Sequence, residues 1–294
     1  MAYRHTRYKD RPAIAVDSGR LTALFLPQDG GKMASLRTAA GFELLAQAPG
    51  ERYRVLTPEG DYVQAECSGF DDMFPTIDPY TPDRGEYAGI PYPDHGEVCR
   101  LPMEAEMRGD ALELRAASRR FPLRFVKQAS ACPDGAITVK YTLYNDGRES
   151  FPYIWAGHCM LAGTDDARVS VPFEATAPIR WMFGPEGPCD RLTGFSPEGA
   201  TYKFYYTQRV PEGRCVCRYP SQGGELRLTY DGEQVPYLGI WLNNGGFKNM
   251  YNIALEPCTA PYDRPDAAAK AGAASLLPAA GSVSFALRFA WHEE

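Results

Sequence analysis

The sequence predicts an all-β protein, a large antiparallel β-sandwich, and three observations support that prediction. Apolar and polar residues alternate along short segments such as residues 137–143, which is typical of half-buried antiparallel strands. The chain contains 18 Tyr, 28 Gly and 25 Pro, a composition that favours strands and turns. Only residues 266–276 are rich enough in Ala to predict a helix, with Asp266 as its N-cap. Because sandwiches of this length are often single domains, we expect one domain over residues 1–294.

The predicted strands run along most of the chain. Residues 21–26 and 32–38 flank a turn cluster and should form a hairpin. Residues 67–100 are dense in Gly, Pro, Asp and Tyr and show little periodicity, which predicts a long functional loop. A turn is expected at residues 185–188. Further strands are expected at residues 112–116, 125–129, 137–143, 151–161, 168–174, 201–207, 214–219, 226–230, 237–242 and 283–291.

Composition and charge exclude several classes of function. The formal net charge is −6 and the 31 basic residues form no run, so we expect no nucleic-acid partner and no anionic membrane surface. No apolar run approaches the roughly 20 residues that cross a bilayer, and the N-terminal residues lack the apolar core of a signal peptide. The sequence therefore predicts a soluble protein that binds a small, neutral, polar molecule.

The cysteines indicate a reducing compartment. They lack Cys-x-x-Cys spacing, and a chain of this size folds without disulfide staples. We expect reduced thiols in a cytoplasmic protein, with no metal and no other cofactor. The eight cysteines stand at positions 67, 99, 132, 159, 189, 215, 217 and 258.

Glu256 is the candidate general base. It follows the apolar run 253–255, typical of a buried strand, and precedes Pro257, which is expected to end the strand because it has no N–H for the ladder. A carboxylate at the mouth of a sheet has its pKa shifted by desolvation and by its neighbours, as a general base requires. The alternative is an ordinary strand-end ion pair with an Arg.

Two histidines stand in marked contexts. His158 lies in the apolar strand 151–161, and the neighbouring Gly157 would let a ligand approach the backbone. The alternative for His158 is a satisfied core imidazole. His95 lies in the loop, and residues 69–75 and 93–96 are expected to form two pieces of one binding rim.

The order and surroundings of His95, His158 and Glu256 resemble those of aldose 1-epimerases and their galactose mutarotase-like relatives. The segments 41–45, reading Gly-Phe-Glu-Leu-Leu, and 256–263, reading Glu-Pro-Cys-Thr-Ala-Pro-Tyr-Asp, resemble that family as well. The resemblance implies a supersandwich with the sugar on an open face. It also implies that His158 is the general acid, that Glu256 is the general base and that His95 helps to hold the substrate.

The chain departs from this family in residues 67–75, where the family's Arg-rich stretch is missing. We expect Asp72 and Phe74 to take over as a hydroxyl acceptor and an aromatic wall. Trp241 lies on a strand between His158 and Glu256 in the sequence, and is predicted to be a further wall, with a core Trp as the alternative. His158 and Glu256 are expected to face each other across a cleft one pyranose ring wide.

The predicted function is that of a carbohydrate isomerase that interconverts the anomers of a free or modified aldose by His/Glu acid–base catalysis. A monomer or a homodimer is expected. The alternative is a non-catalytic carbohydrate-binding domain on the same fold, because a fold does not determine a function. A third possibility is a two-carboxylate glycosidase that uses Asp71 and Asp72.

Overall fold

A computed structural model describes residues 3–184 and 199–294; the predicted turn at 185–188 and Cys189 lie outside the described residues. Almost all regular structure in the described residues is β-strand, arranged in antiparallel sheets of ten, eight and two strands. The predicted all-β sandwich is therefore confirmed. The described residues contain one short α-helix.

The strands, in chain order, are β1 (Tyr3–Tyr8), β2 (Arg11–Asp17), β3 (Leu21–Leu26), β4 (Lys32–Thr38), β5 (Phe70–Met73), β6 (Glu104–Arg108), β7 (Ala111–Ala117), β8 (Leu123–Ala131), β9 (Ile137–Asn145), β10 (Phe151–Tyr153), β11 (Ala156–Ala162), β12 (Arg168–Ser170), β13 (Ile179–Phe183), β14 (Thr201–Tyr206), β15 (Arg214–Tyr219), β16 (Gly224–Tyr230), β17 (Tyr237–Asn244), β18 (Tyr251–Cys258), β19 (Ser275–Leu277) and β20 (Gly281–Glu293). The helix is α1 (Pro265–Lys270), and short 3₁₀ turns cover Tyr62–Gln64, Val98–Arg100 and Pro220–Gln222.

Strands β11 and β18 lie in the middle of the first sheet. The first sheet has the order β1-β2-β3-β4-β5-β11-β18-β17-β14-β13, and the second has the order β12-β15-β16-β20-β9-β8-β7-β6. The strands β10 and β19 pair separately. Strands β11 and β18 are thus neighbours in the middle of the first sheet although they are far apart in sequence.

The core lies between the facing sides of the two large sheets. Trp155 is fully buried and packs against Tyr141 of β9 and Phe285 of β20, with ring centroids 5.0 and 4.6 Å away. Full burial of a large apolar side chain stabilises a fold by about 1.5–3 kcal/mol. These inter-sheet contacts hold the first sheet against the second and leave its other face available for a site.

The structure differs from the expected elements in several places: the expected strand 151–161 is divided into β10 and β11, and the expected strand 168–174 ends at Ser170. The loop 67–100 contains the strand β5, because Phe70 is fully buried in the core and pairs with β4 and β11. The helix ends at Lys270 rather than near residue 276, shortly before Gly272 adopts a left-handed φ of 70°. Pro257 does not end its strand, since β18 continues to Cys258 and its register with β11 skips the Pro257 position, where no N–H is available.

The described residues contain seven cysteines, and all of them are free thiols. The helix in the described part of the chain is too short to cross a membrane.

Candidate active site

A cavity of about 370 Å³ lies over the face of the first sheet that points away from the second sheet. Successive side chains along a strand point to opposite faces of the sheet, so every second residue faces the core and the residues between them face the cavity. In β18, for example, Leu255 belongs to the core and Glu256 lines the cavity. The same alternation brings His158 from β11, Trp241 from β17 and Lys203 from β14 to the cavity. Its volume falls in the range of small-molecule sites.

His158 and Glu256 lie side by side on neighbouring strands. Cys159 pairs with Leu255, and this register places His158 directly opposite Glu256. The distance from His158 Nε2 to Glu256 Oε1 is 3.4 Å. The expected cleft one pyranose ring wide between these side chains is therefore wrong, because directly opposed side chains on adjacent strands lie within contact distance.

Glu256 holds its proton far more tightly than an exposed glutamate. Its side chain is fully buried, and neither of its carboxylate oxygens has a hydrogen-bond partner within residues 3–184 and 199–294. Burial raises the pKa of Glu256 to about 7; the positive charge of Lys203 opposes this rise and the negative charge of Asp263 adds to it. A buried polar group without a partner calls for a functional explanation. The alternative for Glu256, an ordinary ion pair with an Arg, is not found in the described part of the chain, where the ionisable side chain in contact with Glu256 is His158.

His158 is held in its neutral form. Burial lowers the pKa of His158 well below the ordinary 6.5, and nearby His95 and Lys203 act in the same direction. Its Nδ1 atom is buried and has no hydrogen-bond partner among the described residues. Near pH 7 the pair therefore holds at most one proton, which resides on Glu256 in the free cavity.

A glycine makes room for the carboxylate of Glu256. Gly239 of β17 lies opposite Glu256 in the register, and a Cβ atom at position 239 would lie 3.2 Å from Glu256 Oε2. The same Cβ would lie 2.7 Å from Cε1 of Tyr205. A larger residue at position 239 would therefore push the carboxylate away from His158.

Lys203, Asp263 and Tyr205 form a charged group beside Glu256. Lys203 Nζ lies 2.6 Å from Asp263 Oδ1, and the hydroxyl of Tyr205 donates to the same oxygen at 2.6 Å. Sequence reasoning missed Lys203 and Tyr205. The available signal was the strand 201–206 itself, where Lys203 is the one charged residue in an aromatic-rich alternating segment. Asp263 ends the segment 256–263, which resembles the aldose 1-epimerase family.

His95 lies at the cavity, where it stacks on Tyr62. The two ring centroids are 3.7 Å apart with an interplanar angle of 9°, and the centroid of His95 is 6.1 Å from that of His158. The hydroxyl of Tyr62 donates to Asp71 Oδ2 at 2.8 Å, and Lys32 Nζ lies 2.8 Å from the same carboxylate. This chain of contacts fixes the imidazole of His95. Tyr62 carried no recognisable signal in the sequence.

Trp241 lines the cavity and is also largely buried. Its side of the site includes Phe247, whose ring centroid lies 5.6 Å from that of Trp241 at an angle of 75°. The rings of Trp241 and His158 are also 5.6 Å apart. Trp241 is therefore both a core residue and part of the cavity wall, because it packs in a small apolar cluster and still presents a surface to the cavity.

Asp72 and Phe74 do not line the cavity, so their expected roles as hydroxyl acceptor and aromatic wall are wrong. Asp72 points to the opposite face of β5, where its Oδ2 lies 2.8 Å from Lys127 Nζ in the core. Phe74 is only 2% exposed and packs against Phe125 and Tyr153. Strand alternation is the physical reason for Asp72, since Asp71 occupies the other face.

The arrangement is suited to proton transfer by side chains. Within the described ranges, no group of three or more His, Cys, Asp or Glu side chains is placed to hold a metal ion. The cavity instead combines an acid–base pair, one ammonium group and aromatic surfaces. Such a set can bind a polar ring and move protons on its hydroxyl groups.

Comparison of the structure with solved structures identifies its class of fold as galactose mutarotase-like. A galactose mutarotase-like protein from Clostridium acetobutylicum matches with a TM-score of 0.71 and 15% identity, over 99% of this chain and 98% of that chain. A second such protein, from Lactobacillus casei, matches with a TM-score of 0.67 and 19% identity, over 95% of this chain and 100% of that chain. The resemblance indicated by the sequence motifs is confirmed at the level of the fold.

A candidate aldose 1-epimerase from Escherichia coli K12 is similar to the same extent. It matches with a TM-score of 0.70 and 16% identity, over 95% of this chain and 98% of that chain. No protein-family model matches the sequence, and no curated protein matches it. At these identities the likenesses show the fold, and the chemistry must be argued from the site.

Proposed function

We propose that this protein is an aldose 1-epimerase-like isomerase that interconverts the α and β anomers of a free or modified aldose. The observation that carries the proposal is the pair of His158 and Glu256, 3.4 Å apart at the cavity, with both carboxylate oxygens unpartnered among the described residues. The fold neighbours described as mutarotase-like or as a candidate aldose 1-epimerase support it.

The reaction needs one proton acceptor and one proton donor at the anomeric centre. Opening the ring removes the proton from the C1 hydroxyl and protonates the ring oxygen; the C1 aldehyde then rotates and the ring recloses. Both oxygens are bonded to the same carbon, so an acid and a base that lie in contact with each other can serve them. This is why the short distance between His158 and Glu256 supports the mechanism better than a separation of one ring would.

The pair must carry a single proton to work in both directions. In the proposed cycle, proton exchange between Glu256 and His158 gives an ion pair, from which His158 protonates the ring oxygen while Glu256 accepts the C1 hydroxyl proton. Closure of the ring reverses both transfers. His95, fixed by its stack on Tyr62, would hold a sugar hydroxyl, and Trp241 would cover an apolar face of the ring.

The contacts of Asp71, Asp72 and Glu256 favour the isomerase over a glycosidase and over a non-catalytic sugar-binding domain. A glycosidase needs a second carboxylate across the scissile bond, but Asp71 is bound by Lys32 and Tyr62, and Asp72 is bound by Lys127. A non-catalytic sugar-binding domain would not need an unpartnered buried carboxylate beside a neutral imidazole. The deciding measurement is anomer exchange by NMR over a panel of free aldoses and aldose phosphates. Binding without accelerated exchange would contradict the enzyme and support the binding domain.

We expect the rate of anomer exchange to fall as the pH rises through about 7. The pKa of Glu256 is raised to about 7 by burial, so above that pH the pair loses the single proton that it must donate. The pKa of His158 is lowered well below 6.5, so the loss of the base should occur only at distinctly acidic pH. A pH–rate profile of kcat/KM, which reports the acid and base of the free protein, checks this. A profile flat from pH 6 to pH 9 would contradict the assignment.

Replacement of Trp241 is expected to weaken sugar binding. Trp241→Ala removes the aromatic surface beside His158 and should raise the Kd for a cognate sugar about tenfold, because aromatic contacts of this kind contribute up to about 1.5 kcal/mol. Trp241→Phe keeps a ring and serves as the control, with a Kd within about threefold of the wild type. Calorimetric titration measures both. Equal Kd values for Trp241→Ala and the wild type would show that Trp241 only fills space.

A further inference from the structure

Lys203 is fixed in place beside the acid–base pair. Its side chain is 11% exposed, and its Nζ is held 2.6 Å from Asp263 Oδ1, which also accepts the hydroxyl hydrogen bond of Tyr205. The backbone carbonyl of Asp263 accepts from the amides of Ile77 and Asp78, each at 2.9 Å. Asp263 is thus anchored through both its side chain and its backbone, and it holds the ammonium group at the cavity wall.

The ammonium group remains charged in this position. Burial opposes its charge, but the carboxylates of Glu256 and Asp263 outweigh burial and raise the pKa of Lys203 above its ordinary value. In the part of the chain that the structure describes, Asp263 is its hydrogen-bond partner, so N–H donors of Lys203 remain for other groups. A cation in a water-poor wall acts on a neighbouring carboxylate much more strongly than a surface cation does.

We propose that Lys203, held by Asp263, is a positioning residue that controls the proton affinity of Glu256. Lys203 acts through Glu256, which carries the proton in the proposed reaction, and it thereby sets the upper end of the active pH range. The link to activity rests on the proposed function. The control of the proton affinity itself rests on geometry: Lys203 and Glu256 line the same cavity, and Tyr205, which shares Asp263 with Lys203, lies across Gly239 from Glu256.

The surroundings of Glu256 make Lys203 the dominant positive neighbour. Gly239, opposite Glu256 on β17, carries no charge. Among the described residues, the titratable groups around Glu256 are His158 from β11, Lys203 and Tyr205 from β14, Cys258 from the same strand, Asp263 from the segment after β18, and Asp78 and His95 at the cavity. Burial keeps the imidazole of His158 neutral near pH 7 by lowering its pKa. Removing Lys203 would therefore leave the buried carboxylate with an excess of negative neighbours.

The test is a direct titration of Glu256 in the full chain. Carbon-13 NMR of the glutamate side-chain carboxyl carbon, with Glu256→Gln to assign the signal, gives its titration midpoint without any substrate. Lys203→Met should raise this midpoint by about one pH unit or more, because the cation is lost. Asp263→Asn should lower the midpoint, because a negative neighbour is lost while Lys203 and the backbone anchor of residue 263 stay. Removal of the two partners of one salt bridge should thus shift the titration midpoint of Glu256 in opposite directions.

Matched variants separate this role from simple support of the fold. Lys203→Arg keeps the charge and should restore the midpoint, and Lys140→Met removes an exposed lysine from β9 in the other sheet and should not move it. If Lys203→Met and Asp263→Asn shift the midpoint in the same direction, or not at all, the inference is overturned. If the midpoints shift as expected but no aldose is turned over by the wild type, the inference stands and the proposed function fails.

Discussion

Glu256→Gln should slow anomer exchange of a cognate aldose by about a thousandfold or more. Glutamine has nearly the shape of glutamate but can neither accept nor donate the proton, and positioned acid–base groups contribute about 10²–10⁴ in rate. His158→Gln should have an effect of similar size. Because the two groups share one proton at a contact of 3.4 Å, the double variant should be little slower than either single variant.

Glu113→Gln provides the matched control for Glu256→Gln. Glu113 of β7 is also largely buried, but it is ion-paired with Arg108. It lies in the second sheet, whereas the strands that line the cavity belong to the first sheet. It should leave the exchange rate unchanged. Polarimetry of freshly dissolved single anomers, or NMR saturation transfer at equilibrium, measures the wild type and the four variants. A Glu256→Gln rate within tenfold of the wild type would remove Glu256 from the mechanism.

Asp72→Ala is expected to destabilise the protein by about 3–5 kcal/mol. Asp72 and Lys127 are both essentially excluded from solvent, and their charges lie 2.8 Å apart between the two sheets. Removal of one partner leaves an uncompensated buried charge, which is the source of this large cost. Urea denaturation of the purified variants measures the free energy of unfolding.

The double variant Asp72→Ala with Lys127→Met tests the physical reason. It removes both charges, so it should recover most of the stability lost in Asp72→Ala. Lys140→Met, an exposed lysine on β9, is the control and should change the free energy of unfolding by less than about 0.5 kcal/mol. If Asp72→Ala costs less than about 1 kcal/mol, the ion pair behaves like a solvent-exposed one.

Much of the fold and part of the candidate site could be predicted from local sequence. The alternation in residues 137–143 and the apolar run before Glu256 correspond to real strands, because a half-buried sheet requires that pattern. His95, His158, Trp241 and Glu256 do line one cavity. Asp72 and Phe74 could not be placed correctly, because residues 67–100 are dense in Gly, Pro, Asp and Tyr and gave no sign of the short strand β5.

Lys203 and Tyr62 could not be predicted because their importance comes from neighbours distant in the sequence. Lys203 matters through Asp263 and Glu256, and Tyr62 matters through its stack on His95. Neither residue stands in a motif. Such contacts depend on which strands become neighbours in the sheet, and that choice is made by packing of the whole core.

The sequence by itself determined that the chain is built of strands and which residues share a face within the strands that it predicted, and it singled out Glu256 and His158 as candidate acid–base residues. Only the tertiary structure decided that β11 lies against β18 in the register that opposes these two residues. A slip of one residue would turn every side chain of a strand to the other face, so burial of the core selects this register. The same register places Glu256 beside His158 at the distance of direct contact, where burial and Lys203 jointly determine its proton affinity.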